Sequence, residues 1–120
     1  MKPSEFTSVS TIEFAKLFEE AGFPPGVVNV VTGFGADVGA PLVEHPLVKK
    51  ITFTGADSTG RAINEAAARQ FKHVSLELGG KSSLIVRDDA DRDGAVSLAG
   101  AGAFTNAGQM CSATARILVH

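Results

Sequence analysis

The chain up to Gly80 alternates between segments typical of helices and short apolar segments typical of buried strands. The predicted strands are Val27–Val31, Lys49–Thr54 and Val74–Leu78. Helix-length spacers separate them, so each strand can reach a parallel neighbour by a right-handed crossover. The alternation therefore predicts an α/β fold in which these three strands lie side by side, as half of a Rossmann-like, doubly wound parallel sheet.

Local signals place the helices between the predicted strands. Ser10-Thr11-Ile12-Glu13 is a capping-box sequence, and apolar residues then recur at helical spacing up to Ala21. Gly22 can adopt the left-handed conformation that often ends a helix, and Pro24-Pro25 prevents the helix from continuing. The other predicted helices here are a short one over Asp37–Glu44 and a longer one from about Ser58 to Gln70.

The alternation of strand and helix repeats once more after Gly80. The segments are a strand at Ser83–Val86, a helix from about Arg92 to Phe104 and a strand at Arg116–Val119. The Gly79-Gly80 turn is therefore the predicted boundary between a unit of residues 1–79 and a unit of residues 80–120.

Composition argues against several classes of function. The formal net charge is −2 and no basic cluster is present, so nucleic-acid binding is not expected. No apolar run approaches the roughly 20 residues that a membrane helix needs. The three histidines and the single cysteine show no metal-ligand spacing, so no metal site is expected. The single cysteine cannot form an internal disulfide, and the sequence does not open on an apolar signal segment. Together these features predict a reducing, cytoplasmic compartment.

Two glycine-flanked segments carry residues suited to covalent chemistry. Cys111 lies three residues after Gly108, and Glu77 lies at the end of an apolar strand, just before the Gly79-Gly80 turn. A nucleophile and a base on such segments favour reaction at a carbonyl carbon, and burial of Glu77 would make it a better base. Two alternatives stay open. A lone cysteine is more often a small buried hydrophobe, and the alternation of its strand places Glu77 opposite the apolar side chains, where it can point to solvent.

The segments taken together resemble the aldehyde dehydrogenase superfamily. Phe104–Cys111 (FTNAGQMC) resembles the nucleophile loop of that family, and Leu76–Ser82 (LELGGKS) resembles its general-base segment. Ala21–Val31 resembles the second strand of the family's nucleotide-binding domain with the turn before it. Phe53-Thr54-Gly55 resembles the turn that faces the cofactor pyrophosphate, and Lys2–Glu5 resembles the segment that holds the adenosine ribose. The match runs in register over nearly the whole chain and covers a central part of the family's length.

The resemblance implies an NAD-dependent enzyme that oxidises a small-molecule aldehyde to a carboxylic acid through a cysteine thioester. Cys111 would be the nucleophile and Glu77 the base. Residues 1–79 would be the C-terminal half of the nucleotide-binding domain, and residues 80–120 the N-terminal part of the catalytic domain. The expected cofactor-binding residues are Lys2, Glu5, Gly35, Gly39, Phe53, Gly55, Ala56, Leu78 and Gly79. A homo-oligomer, or association with the rest of the enzyme, is also expected.

The cofactor-binding segments favour NAD over NADP and depart from the family at one position. A carboxylate at Glu5 would accept a hydrogen bond from a ribose 2′-hydroxyl and repel a 2′-phosphate. Many family members carry a serine directly after the glycine of the pyrophosphate turn. Here that residue is Ala56, followed by Asp57, so a hydroxyl is lost and a negative charge is gained. Asp57 is also a typical helix N-cap residue.

Other interpretations of the same segments remain open. Gly35 and Gly39 belong to a glycine-rich turn whose spacing differs from the dinucleotide fingerprint, so an ordinary strand-to-helix turn is an alternative there. For the chain as a whole the alternatives are an inactive nucleotide-binding remnant and an interaction module that self-associates through open sheet edges.

Overall fold

The computed structural model describes residues 1–120, which form an α/β structure and confirm the predicted fold class. The helices are α1 (Ser8–Glu20), α2 (Ala40–Glu44), α3 (Asp57–Ala68) and α4 (Arg92–Phe104). The strands are β1 (Lys50–Thr54), β2 (His73–Glu77), β3 (Ser82–Val86) and β4 (Thr114–Val119). A π-helical turn at Gly35–Gly39 precedes α2, and a 3-10 turn at Thr105–Gly108 follows α4.

The strands form two parallel pairs, β1 with β2 and β3 with β4. The His73 N–H donates to the Lys49 carbonyl at 3.0 Å, and at the other end of the pair the Gly55 N–H donates to the Glu77 carbonyl at 3.1 Å, so β1 and β2 run in the same direction. Their parallel pairing confirms that part of the predicted sheet. In both strands every second residue is half-buried, which leaves Glu77 on the exposed face of β2.

The chain divides into two compact units, Met1–Thr52 with Ala62–Ser75, and Phe53–Arg61 with Leu76–His120. The divisions between these units fall at other positions than Gly79-Gly80. The domain boundary inferred from the sequence stays a prediction.

The second pair of strands is joined by α4. Leu84 lies opposite Ile117 and Val86 opposite Val119, with one irregularity between Ser82 and Ser83. The carboxylate of Asp91 caps α4 by accepting from the Gly94 N–H at 3.2 Å, as an N-cap aspartate should. The predicted strand–helix–strand order after Gly80 is thus confirmed, although β4 already starts at Thr114.

The end of α1 follows its sequence signal closely. Gly22 takes a φ of +83°, and the Phe23 N–H donates to the Phe18 carbonyl at 3.0 Å. The Gly22 N–H donates to the Glu19 carbonyl at 3.0 Å, which completes a Schellman motif. The rings of Phe18 and Phe23 meet edge to face with centroids 5.2 Å apart, the apolar contact that commonly accompanies this motif.

The predicted start of α1 is wrong. The helix begins at Ser8, with Thr7 as N-cap and no side-chain capping bond. Ser10 therefore lies inside the helix, where its hydroxyl donates to the Thr7 carbonyl at 3.4 Å. Glu13 forms a surface ion pair with Lys16 at 2.7 Å instead of completing a capping box. The capping-box sequence fails here because the helix has already started before it.

The prediction of a strand at Val27–Val31 is also wrong. This segment is paired only with Met1, whose amine donates to the Asn29 carbonyl and whose carbonyl accepts from the Val31 N–H at 2.9 Å. A strand requires a neighbour along its length, and a single residue supplies one rung of a ladder. The apolar sequence therefore adopts an irregular conformation despite its strong strand propensity.

Few residues are buried in this chain: Gly60, Ala67 and Lys72. The Lys72 ammonium donates to the carbonyls of Val43 and, at 2.8 Å, His45, so it satisfies the C-terminal end of α2. Many large apolar side chains are exposed, including Phe71 at 96%. None of the helices combines the length and the apolar character that crossing a membrane requires.

Candidate functional site

The turns that follow β1 and β2 lie side by side. Since the two strands are parallel, their carboxyl ends meet at one edge, where α/β proteins commonly bind ligands. The Gly55 N–H donates to the Glu77 carbonyl at 3.1 Å, which joins the two turns through their backbones. The Phe53 ring lies against Gly55, since a Cβ there would come within 2.6 Å of the ring. The predicted pyrophosphate turn and the predicted base segment are thus neighbours.

Asp57 makes a second connection between these turns. It is the first residue of α3, and its Oδ1 accepts from the Gly79 N–H at 3.1 Å. The N-cap interpretation of Asp57 therefore does not describe its hydrogen bond, because the carboxylate is used by the neighbouring turn and not by its own helix. The charge that Asp57 adds to this region is directed at a backbone amide.

Leu78 packs against α3 at Gly60. A Cβ on Gly60 would lie 2.6 Å from Leu78 Cδ2, so the Leu78 side chain occupies the space beside Gly60 that a larger residue would need. No sequence motif singled out Gly60. The available signal was a glycine inside an otherwise alanine-rich helix, which often marks a close packing contact.

The base segment also touches the nucleophile loop. A Cβ on Gly80 would lie 2.8 Å from the backbone carbonyl oxygen of Cys111, which is closer than real Cβ contacts come. Cys111 is a free, exposed cysteine, so the alternative of a small buried hydrophobe does not apply. The structure therefore brings together the two segments that carry the candidate base and the candidate nucleophile.

Three consecutive residues of the nucleophile loop have a left-handed backbone conformation. Asn106, Ala107 and Gly108 have φ of +50°, +57° and +73°. Asparagine and glycine tolerate this conformation, whereas an alanine in it costs roughly 1–2 kcal/mol. The loop is closed by hydrogen bonds from the Gln109 N–H to the Asn106 carbonyl and from the Ala113 N–H to the Met110 carbonyl, both 3.1 Å long. Strain of this kind is often found at functional sites.

Glu77 lies on the exposed face of β2. Its side chain is exposed, so of the two positions that the sequence left open, buried or facing solvent, the chain has the second. The cause is the alternation of β2, in which Val74 and Leu76 occupy the half-buried face and Glu77 the other. In this chain the carboxylate is open to water.

A separate cluster of predicted cofactor residues lies in the other compact unit. Lys2 Nζ is 3.7 Å from Glu5 Oε2, and these side chains are only 15% and 32% exposed. The Lys2 ammonium also donates to the Pro3 carbonyl at 2.6 Å. A Cβ on Gly39 would lie 3.6 Å from Lys2 Cδ, so the lysine stem runs along the π-helical turn that Gly35 begins. A donor beside an acceptor fits the two hydroxyls of a ribose.

Known proteins resemble the chain over its full length. A chloroplastic aminoaldehyde dehydrogenase of Arabidopsis thaliana is 56% identical over 120 residues, a match that covers 100% of this chain and 24% of that relative. A peroxisomal aminoaldehyde dehydrogenase of Malus domestica is 52% identical, with the same two coverages. The solved NAD+ complex of a Bacillus cereus aldehyde dehydrogenase superposes with a TM-score of 0.93 at 50% identity, covering 99% of this chain and 24% of that one.

These relatives correct the expected compartment. The names of the two plant proteins place them in the chloroplast and in the peroxisome, so the prediction of a cytoplasmic protein is wrong. The cysteine count could not support that prediction, because a single unpaired cysteine bears on disulfide formation and not on the organelle in which a protein works.

The chain spans about a quarter of the length of the relatives it matches, 24% in each case given above. Within that span the match to these relatives covers 99–100% of the chain. The model of the aldehyde dehydrogenase family matches residues 1–120, which includes both segments of the candidate site. The chain belongs to the aldehyde dehydrogenase family.

Proposed function

We propose that the protein containing this chain oxidises a small-molecule aldehyde to a carboxylic acid, with Cys111 as nucleophile, Glu77 as base and NAD as hydride acceptor. The observation that carries the proposal is the close approach of the Gly80 backbone to the Cys111 carbonyl, where the base segment lies beside the nucleophile loop. Family membership supports the reaction class.

The residues of this chain would act in two stages. First, the thiolate of Cys111 forms a carbon–sulfur bond to the aldehyde carbon, and the carbonyl oxygen takes the negative charge. The Cys111 N–H is a candidate donor to that oxygen. Bound NAD would accept the hydride that leaves this carbon, and the substrate would then be held as a thioester of Cys111. Glu77 then removes a proton from water as the water oxygen bonds to the thioester carbon. The carbon–sulfur bond breaks, releasing the acid and the thiolate.

The residues present fit the cofactor. Lys2 and Glu5 offer a donor and an acceptor for a ribose diol, next to the turn that contains Gly35 and Gly39. In the other unit the candidates are Phe53 near the end of β1, Gly55 and Ala56 after it, and Leu78 and Gly79 after β2. Ala56 has no hydroxyl to offer a phosphate, so contacts there would come from backbone amides at the start of α3.

The chemistry is tested by two substitutions in the full-length protein. Cys111→Ala should abolish aldehyde oxidation and leave NAD binding measurable, because the nucleophile is lost and the cofactor contacts are not. Glu77→Gln should slow thioester hydrolysis, so a burst of NADH precedes a slow steady state. Aminoaldehydes belong in the substrate panel, since two relatives carry that name. Normal turnover by Cys111→Ala would reject the covalent mechanism, and NAD binding by wild-type protein without any oxidation would favour an inactive remnant.

Preference for NAD over NADP is proposed to come from Glu5. Glu5→Gln should improve the ratio of kcat/KM for NADP to that for NAD at least fivefold, because two unit charges about 4 Å apart repel by about 1 kcal/mol even in water. Glu20→Gln, at the exposed end of α1, is the matched control and should leave the ratio unchanged. An unchanged ratio in Glu5→Gln would show that other residues select the cofactor.

A further inference from the structure

We infer that Asp57 is a positioning residue that fixes the turn Glu77–Gly80 relative to the nucleophile loop. Its catalytic consequence rests on the proposed function, whereas its structural part does not. The starting observation is the bond from the Gly79 N–H to Asp57 Oδ1 at 3.1 Å, a contact between residues 22 positions apart.

Besides the packing of Leu78 against Gly60, the turn Glu77–Gly80 makes contacts at three successive points. At its start the Glu77 carbonyl accepts from the Gly55 N–H at 3.1 Å. In its middle the Gly79 N–H donates to Asp57. At its end Gly80 lies against the Cys111 carbonyl, with no room for a Cβ. The first and third contacts are between backbones, so Asp57 provides the side-chain hydrogen bond to this turn that substitution can remove.

The Gly79 amide needs such a partner because it lies beyond the ladder. The bond from the Gly55 N–H to the Glu77 carbonyl is the last of the β1–β2 ladder, and the Gly79 N–H donates to Asp57 Oδ1 instead of to the Gly55 carbonyl, the next acceptor in register. A carboxylate oxygen is a strong acceptor for a backbone N–H. Since glycines at 79 and 80 leave the turn many conformations, this bond selects the one in which Gly80 meets Cys111.

The direction of the Asp57 side chain separates this role from a role in cofactor binding. A carboxylate facing the cofactor phosphates would weaken binding by repulsion, and removing it would mainly lower the KM for NAD. A carboxylate held by Gly79 affects instead the placement of Glu77, and removing it should mainly lower kcat. Misplacement of reacting groups by about 1 Å can cost about 100-fold in rate.

The test compares Asp57→Ala with Asp57→Asn in the full-length protein. The alanine variant loses the acceptor, whereas the asparagine variant keeps a carbonyl oxygen at the same position. Asp93→Ala is the control, because Asp93 also occupies the first turn of a helix. The measurements are hydrogen–deuterium exchange over residues 77–80, kcat, the KM for NAD, and the NADH burst.

The expected result for Asp57→Ala is faster exchange at residues 77–80, a kcat lower by about 10- to 100-fold, and a visible NADH burst from slowed hydrolysis. The KM for NAD should change much less. Asp57→Asn should restore both exchange and kcat, and Asp93→Ala should match the wild type.

Several results would overturn the inference. These are unchanged exchange at 77–80 in Asp57→Ala, unchanged kcat in that variant, a change confined to the KM for NAD, or an Asp57→Asn variant as impaired as the alanine one. If the wild-type protein oxidises no aldehyde, the proposed function fails separately. The exchange data still decide in that case whether Asp57 holds the turn.

Discussion

Because Gly80 has no side chain, the base segment can approach the nucleophile loop closely enough to form the candidate site. The backbone of the base segment approaches the Cys111 carbonyl so closely that a Cβ would be 2.8 Å from the oxygen. The obstacle is backbone, which cannot rotate away as the end of a long side chain can. Any larger residue must therefore move either the turn or the nucleophile loop.

Gly80→Ala should lower kcat by about 100-fold, since a shift of the reacting groups by about 1 Å is enough for such a loss. Gly100→Ala is the matched control, because Gly100 lies inside α4 with no atom within 4 Å of the position that a Cβ would take. That control should keep its activity and gain about 1 kcal/mol of stability from higher helix propensity. Steady-state kinetics of both full-length variants would check this, and full activity in Gly80→Ala would contradict the steric argument.

At the scale of elements, helix ends follow local sequence more closely than strands do. The Schellman motif after α1 needs only nearby residues, namely Gly22 with positive φ and the Phe18–Phe23 ring contact. The segment Val27–Val31 has strand-forming residues but finds only Met1 beside it. The backbone hydrogen bonds of a helix form within the helix itself, whereas those of a strand need a second strand that comes from a distant part of the sequence.

Gly22→Ala should destabilise the protein by about 1 kcal/mol, because alanine at a φ of +83° is strained while no atom lies within 4 Å of the new Cβ. The loss is then a backbone effect and not a clash. Urea unfolding of the full-length variant would measure it. Ala21→Gly, at the preceding position with φ of −78°, provides a comparison in which no left-handed strain is introduced. Equal stability of Gly22→Ala and wild type would show that the motif does not stabilise α1.

At the scale of the whole molecule, the chain leaves too much surface uncovered for a protein of its mass. Its accessible surface is 9131 Å² for 12.4 kDa. A compact monomer of that mass exposes about 6,100 Å². Large apolar side chains such as Phe6, Phe71 and Phe104 are at least 78% exposed. We therefore propose that this surface is covered in the enzyme by the other parts of the family's fold or by a second subunit.

The 120-residue chain produced alone should self-associate and should not oxidise aldehydes. Exposed apolar patches and open strand edges drive association, and a buried set of three residues gives little stability to a monomer. Sedimentation at micromolar concentration and NADH absorbance with a panel of aldehydes would test both parts. The full-length protein assayed in parallel is the control. A stable monomer with clear turnover would contradict this prediction.

Sequence by itself determined the fold class, the positions of most helices and strands, and the segments that carry Cys111 and Glu77. These features depend on periodicity, on glycine and proline at element ends, and on motifs within a few residues of each other. The cofactor residues were predicted only through the family resemblance, and the compartment inferred from composition was wrong.

Tertiary structure alone decided what the predicted residues touch. The sequence left Asp57 as a charge near the cofactor phosphates or as a helix N-cap, and its carboxylate instead accepts from the Gly79 N–H. For Glu77, of the buried and solvent-facing alternatives, the structure has the solvent-facing one. Gly60 lies against Leu78, a contact that no sequence motif indicated. The strand at Val27–Val31 was also absent, whereas the capping box at Ser10 failed for a local reason, because α1 begins before it. The contacts of Asp57 and Gly60 and the missing strand share one physical reason. A side chain's partner, and a strand's neighbour, come from sequence far away in the chain, and only the folded arrangement brings them within bonding distance.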